Sequence, residues 1–236
     1  MKDKKIKVGV LFSGGKDSSL ALHYALKYTD VKCLISIISK NPESYMFHTP
    51  SIKLVEKQAK AMGMLIIMEK TKGEKEIELR DLERAIKKAA KLYRIEGIVT
   101  GAIESIYQAS RIQRICNKLG IECFNPLWQR NQFELLEEIL KLKFDVIIAG
   151  VFAEGMGGFL GKKIDIDFVS RIRKMHEQYK INPAGEGGEF ESLVLDAPFF
   201  KKGMRILKSQ VKEDKHRGRI LEIDETDLIK KEKNEK

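Results

Sequence analysis

The stretch Ser13-Gly14-Gly15-Lys16-Asp17-Ser18-Ser19 gathers hydroxyls, a cation, a carboxylate and two positions without Cβ atoms. It follows an apolar, Val-rich run, Ile6 to Phe12, and precedes a helix-like stretch, Leu20 to Leu26. Strand, glycine turn and helix in that order aim backbone N–H groups and a helix N-terminus at an anion. Gly14 and Gly15 permit close backbone approach. Ser13, Ser18 and Ser19 add hydroxyl donors and Lys16 a positive charge, so the expected ligand is a phosphate. The spacing is not that of a Walker A loop, because Val10 and Asp17 stand where Gly and Ser or Thr are required. No G-x-G-x-x-G follows a strand either.

A second unusual stretch is Gly185-Glu186-Gly187-Gly188-Glu189-Phe190-Glu191, followed by Ser192. Such glycines let a backbone wrap a ligand. Glutamates there can hold Mg²⁺, pair with a cation or act as a general base, and a solvated acidic loop is the plain alternative. Neighbouring carboxylates are expected to raise one another's pKa.

The elements that must position these residues alternate. Strands are expected at Ile6–Phe12, Val31–Ile38, Met64–Met68 and Glu96–Thr100, with helices at Leu20–Leu26, Ser51–Met62, Lys75–Tyr93 and Glu104–Leu119. Four strand–helix repeats specify an α/β fold, an open parallel sheet with helices on both faces. Ligands bind such sheets beyond the carboxyl ends of the strands. That places the Ser13 loop and Thr100-Gly101 on one edge, with adenosine expected against Ile37, Ser39 and Gly101. His48 either lines that site or is an ordinary loop histidine; Gly101 either admits a nucleotide or makes a tight turn.

A boundary near Asn125-Pro126 separates residues 1–125 from a smaller α+β domain, 126–236. The latter holds a helix at Gln132–Leu142, a strand at Phe144–Val151, and a mobile glycine-rich connection at Gly155–Gly161. An amphipathic helix at Asp165–Tyr179 precedes the acidic loop. Strand-like runs at Leu193–Leu195, Met204–Val211 and Gly218–Ile223 suggest antiparallel pairing, and Asp224–Lys236 reads as a frayed charged tail.

The formal net charge is +10, which favours phosphate ligands, nucleic acid or acidic proteins, although Lys and Glu alternate along several helices. No apolar run approaches the roughly 20 residues of a membrane span, and a cytoplasmic protein is expected. Cys33, Cys116 and Cys123 form no C-x-x-C pair and read as buried structural thiols.

Four stretches together resemble the diphthine–ammonia ligase family, within the PP-loop N-type ATP pyrophosphatases, whose nucleotide domain is HUP-like. They are Ser13–Leu22 (SGGKDSSLAL), Thr100–Cys116 (TGAIESIYQASRIQRIC), Phe124–Trp128 (FNPLW) and Gly185–Ser192 (GEGGEFES). Ser192 stands where the family often has Thr.

The resemblance implies ATP and Mg²⁺ as cofactors, Asp17 as a metal ligand, and Lys16, Asp17, Glu186 and Glu189 as catalytic residues. Ser13–Ser19, Ile37, Ser39, His48, Thr100 and Gly101 would hold the nucleotide. Tyr107, Gln108, Arg111, Gly187, Gly188 and Glu191 would face the substrate. The implied reaction joins ammonium to the diphthine carboxylate of translation elongation factor two through an acyl adenylate, releasing AMP and pyrophosphate. It needs neither membrane nor nucleic acid, and it leaves a homodimer open. Two rival readings are an adenylating tRNA-modifying enzyme and a non-catalytic ATP- or AMP-binding module.

Overall fold

The computed structural model describes residues 5–39, 54–74, 77–213 and 218–231. It divides into two compact units, residues 1–59 with 64–129 and residues 60–63 with 130–236.

The first unit begins with β1 (Lys7–Leu11), α1 (Lys16–Tyr28) and β2 (Asp30–Ser39). Helix α2 (Val55–Met62) leads to β3 (Ile66–Thr71), α3 (Ile77–Tyr93) and β4 (Gly97–Val99), and α4 (Ile106–Leu119) to β5 (Glu122–Phe124). The strands form one parallel sheet in the order β3-β2-β1-β4-β5. Right-handed crossovers put α1 and α2 on one face and, because the strand order reverses after β3, α3 and α4 on the other. Cys33, Ile35 and Ile37 of β2 accordingly pack with Leu82, Ile86 and Ala89 of α3 and Ile112, Ile115 and Cys116 of α4. Leu34, on the alternate face, is equally buried.

Fold class and element order are those expected from the sequence, with one addition. The short run after Gly120 is a fifth parallel strand. Its three residues are too few for a local signal, and it exists by pairing with β4 (Gly97↔Glu122, Val99↔Phe124). Gly120 closes α4 at φ 66°, the left-handed conformation that glycine adopts without strain.

The second unit contains α5 (Gln132–Lys141), β6 (Asp145–Val151), a 3₁₀ turn (Met156–Phe159), α6 (Ile166–Tyr179), β7 (Phe190–Asp196), β8 (Lys202–Glu213) and β9 (Arg219–Lys230). Asn131 caps α5 by accepting the Phe133 and Glu134 N–H groups; Asp165 caps α6 by accepting that of Phe168. The strands are antiparallel, ordered β7-β6-β9-β8.

Two sequence expectations fail here. The segment Gly155–Gly161 is not a loose connection: Met156 and Phe159 are core residues, and Phe159 meets Phe168 edge-on. The charged run from Asp224 is a strand as far as Lys230, because every residue from Glu225 to Lys230 has a partner on β8, from Glu225↔Lys208 to Lys230↔Lys202. Cross-strand pairing overrides a composition that looked solvated.

The strand order reverses between β1 and β4, so the turns leaving them lie side by side. They interlock at Gly101, where a Cβ atom would lie 2.8 Å from the backbone C of Asp17 and N of Ser18. We expect Gly101→Ala to lower the unfolding free energy by about 1–3 kcal/mol, as overpacking does. Urea denaturation measures it, and an unchanged midpoint would show that the two turns are not locked together.

Candidate active site

The turn Phe12–Gly15 is knitted by its own serines. Ser13 N–H donates to Ser18 Oγ (3.2 Å), the two hydroxyls meet at 3.1 Å, and Ser18 Oγ donates to Gly15 O (3.1 Å). Sequence reasoning assigned both hydroxyls to the ligand; in the fold they also shape the loop. Gly14 sits at φ 84°, and a Cβ there would overlap the amide of Gln58. Gln58 is fully buried, and its Nε2 donates to Gly14 O at 2.9 Å.

Helix α1 then starts with Gly15 at its N-cap and no side chain capping it. The first-turn N–H groups and the positive end of the helix dipole therefore suit an anion. Lys16, only 3% exposed, pairs with Asp17 Oδ2 at 2.8 Å. Asp17 Oδ1 and Ser19 Oγ are buried and make no hydrogen bond among the described residues. A carboxylate oxygen left over beside an uncapped helix end fits Mg²⁺, which takes one or two carboxylates and completes its shell with phosphate and water. No cluster of three or more His, Cys, Asp or Glu suited to a metal occurs among the described residues, so Asp17 would hold the ion largely with the ligand's oxygens.

Thr100 and Gly101 stand beside this loop. Thr100 Oγ1 bonds Asn125 Oδ1 at 2.5 Å and accepts the Ala102 N–H. The glycine at 101 is explained by its approach to α1. Ile37 is a core side chain, 4% exposed, so only its backbone faces away from the core. Ser39 ends β2, and His48 lies outside the described residues. On α4, Tyr107 and Arg111 stack, with the guanidinium 3.4 Å from the ring centroid, while the Gln108 N–H is taken by the Ser105 cap.

In the second unit the acidic loop is a tied structure. Asn182 Oδ1 accepts the N–H groups of Ala184 (3.2 Å) and Glu186 (3.1 Å), and Asn182 N–H donates to Glu189 Oε1 (2.9 Å). Gln132 Oε1 of α5 holds Ala184 N–H at 2.8 Å, and His176 Nδ1 of α6 contacts Ile181 O at 2.8 Å. Gly185 (φ 74°) and Gly188 (φ 83°) make the turns, while Gly187 lies beneath the Glu189 carboxylate. Glu189 Oε2 remains buried with no hydrogen bond among the described residues. Gln58, Gln132, Asn182 and His176 were not singled out from sequence, and Asn125 only as a boundary residue. Their partners lie up to 52 residues away, and only Asn125, beside Pro126, and Asn182, beside Pro183, carried a local turn signal.

Glu191, the second residue of β7, has its pKa pushed up to about 8 by burial. The cause is desolvation of the charged form rather than the carboxylate neighbours expected from sequence. Because the native pKa lies above the unfolded value of 4.5, the native state binds the extra proton between these limits. The associated stability is complete below pH 4.5 and is lost as pH rises to about 8. Glu191→Gln removes that ionisation. Its stability relative to the parent should therefore rise by a few kcal/mol, on the order of magnitude set by the shift, between pH 5 and pH 8. Denaturant titrations at the two pH values test this, and parallel pH dependences would place Glu191 in a solvated environment.

Comparisons with known proteins give a consistent picture. Residues 6–123 match the family described as diphthamide synthase N-terminal domain, and residues 131–229 the diphthamide synthase C-terminal domain. A Bos taurus protein named diphthine–ammonia ligase is 29% identical over 227 residues, covering 87% of this chain and 85% of its own. The protein of that name from Saccharomyces cerevisiae is 32% identical over 230 residues, 82% of this chain but 33% of its own. This chain thus spans about a third of the yeast relative's length and most of the bovine one's. Among solved structures, a "predicted subunit of tRNA methyltransferase" from Methanocaldococcus jannaschii aligns with 82% of this chain and 98% of its own at 20% identity, with a TM-score of 0.44, too low to argue from. The two domain matches run through nearly the whole chain, and it belongs to the diphthamide synthase family.

Proposed function

We propose that this protein is an ATP-dependent diphthine–ammonia ligase that forms the amide of diphthamide on translation elongation factor two. The observation carrying this reading is the match to both domains of the family, over residues 6–123 and 131–229. The uncapped start of α1 beside a spare Asp17 oxygen supports it physically.

A carboxylate resists attack by ammonia until one oxygen becomes part of a good leaving group. Adenylation does this, with ATP split between its α and β phosphates. In our reading the α1 N-terminus and Lys16 stabilise the charge that grows on the departing pyrophosphate, a preorganised role for fixed donors and dipoles. Asp17 would hold Mg²⁺, which would neutralise phosphate charge. Thr100 and the backbone at Ile37, Ser39 and Gly101 receive the nucleoside.

The acidic loop serves the acceptor side. Glu186 attracts cations, the trimethylammonium of diphthine or ammonium itself. Glu189, already engaged with Asn182 N–H, keeps the loop in shape and contributes its second oxygen. Glu191, its pKa raised to about 8 by burial, takes the proton from ammonium. Tyr107, Gln108 and Arg111 contact the protein substrate. Among the described residues no helix is long and apolar enough to cross a membrane.

Incubation with ATP, ammonium and diphthine-bearing elongation factor, followed by mass spectrometry of the factor, should reveal the amide together with AMP and pyrophosphate. Lys16→Ala and Asp17→Ala should each raise the barrier by about 1.5–3 kcal/mol, the worth of a charged contact. Glu191→Gln should bind ATP normally yet slow amidation by about 10²–10⁴-fold, the range for a general base. Pyrophosphate exchange stimulated by tRNA and not by the elongation factor would overturn the assignment.

A further inference from the structure

Two of the three cysteines, unpaired in any sequence motif, meet in space. Cys116 lies at the C-terminal end of α4, fully buried; Cys123 is the middle residue of β5 and half-buried. The chain between them turns tightly, with Gly120 left-handed and Ile121 N–H returning to Cys116 O at 3.1 Å. Cys123 packs against the core cluster that holds Cys116, within reach of a hydrogen bond between the two thiols. Cys123 Sγ also receives Asn125 Nδ2 at 4.0 Å, and Cys123 sits half-exposed on β5, the edge strand of the sheet. One thiol is thus reachable and the other waits behind it.

The charge distribution suits that arrangement. The hydrogen bond from Cys116, helped by that from Asn125, lowers the Cys123 pKa against the effect of burial. The same hydrogen bond and burial raise that of Cys116. Cys33, buried in the sheet core, is pushed up to about 12 and is inert.

From Cys123 a chain of contacts leads to the phosphate loop. Asn125 spans Cys123 Sγ and Thr100 Oγ1, Thr100 N–H donates to Phe124 O at 2.9 Å, and the next residue, Gly101, abuts Asp17 and Ser18.

We propose that Cys116 and Cys123 are a redox-active dithiol, oxidised by a small disulfide that reaches Cys123 at the sheet edge, and that oxidation weakens nucleotide binding at Ser13–Ser19. The second half rests on the nucleotide reading above; the first does not. Cys123 thiolate attacks one sulfur of the small disulfide, whose S–S bond breaks and releases a thiolate. Capping Cys123 removes the negative sulfur that held the Cys116 proton. Cys116 then loses that proton to the released thiolate and attacks the Cys123 sulfur, expelling the second small thiol. Two protein thiols are oxidised by two electrons and one disulfide is reduced to two thiols. The new bond draws Cys123 Sγ toward Cys116 and away from Asn125, which shifts Thr100 and the Gly101 contact.

The full chain, treated with oxidised glutathione, alkylated and digested, should yield a Cys116–Cys123 cross-linked peptide with Cys33 alkylated. Its ATP affinity by calorimetry should fall about tenfold, within the usual range of coupling between sites, and recover with dithiothreitol. Cys123→Ala, at a half-buried position, and Cys123→Ser should both bind ATP equally well before and after treatment. Glutathione retained on Cys123 with Cys116 alkylated, or no reaction at either, overturns the dithiol. A cross-linked protein with unchanged affinity overturns the coupling. If the reduced protein itself binds no ATP, the nucleotide reading fails, while the peptide map still decides the dithiol.

Discussion

Everything in the first unit depends on how closely two backbones approach at Gly101. The turn after β4 presses on the first turn of α1 with no room for a methyl group. That contact exists because β1 and β4 are neighbours, which in turn follows from the reversal of strand order. With the position of α1 fixed, its uncapped N-terminus points where the fold dictates and not where a flexible loop would wander. Gln58 does the same from the other side, filling the space above Gly14. The Ser13–Ser19 loop is therefore clamped between two neighbours that never appear in its motif.

The second unit reaches rigidity by different means. Its acidic loop has few apolar side chains to bury, so polar groups hold it: Asn182, Gln132 and the Glu189 carboxylate satisfy backbone N–H groups that would otherwise face a half-buried environment unpaired. Neutralising or removing any of them leaves a donor without its partner, which costs more than the bond itself contributes. Charge in this loop is thus partly architectural. Glu189 combines both roles in one side chain, and Glu191, one strand position inside, has exchanged solvation for burial.

Much of this was legible in the sequence, for identifiable reasons. Apolar runs marked the strands, alternation with helix-like stretches marked the layers, and SGGKDSS marked the turn between β1 and α1. What escaped was whatever depends on distant partners. The three residues of β5 are a strand only beside β4. The acidic run Asp224–Lys230 is a strand only beside β8. Gly155–Gly161 looked loose because glycine dominates it, yet Met156 and Phe159 anchor it. The Ser13 and Ser18 hydroxyls were assigned to a ligand because a motif does not reveal that they bond each other. The cysteines seemed isolated because seven residues and a left-handed turn hide their adjacency.

The antiparallel sheet has a consequence for how the chain is made. Strand β6 lies between β7 and β9, and its end, Gly150–Val151, pairs with Ile220 and Arg219. A ribosome must therefore release almost the whole chain before that edge is satisfied, whereas the parallel sheet has all its strands once Phe124 has emerged. During the interval the nascent β6 presents apolar residues and unpaired amides, a surface that calls for a chaperone or a fast-folding hairpin to cover it. The tight registry of β8 with β9 supplies such a hairpin, formed from residues close in sequence and ready to dock as one piece.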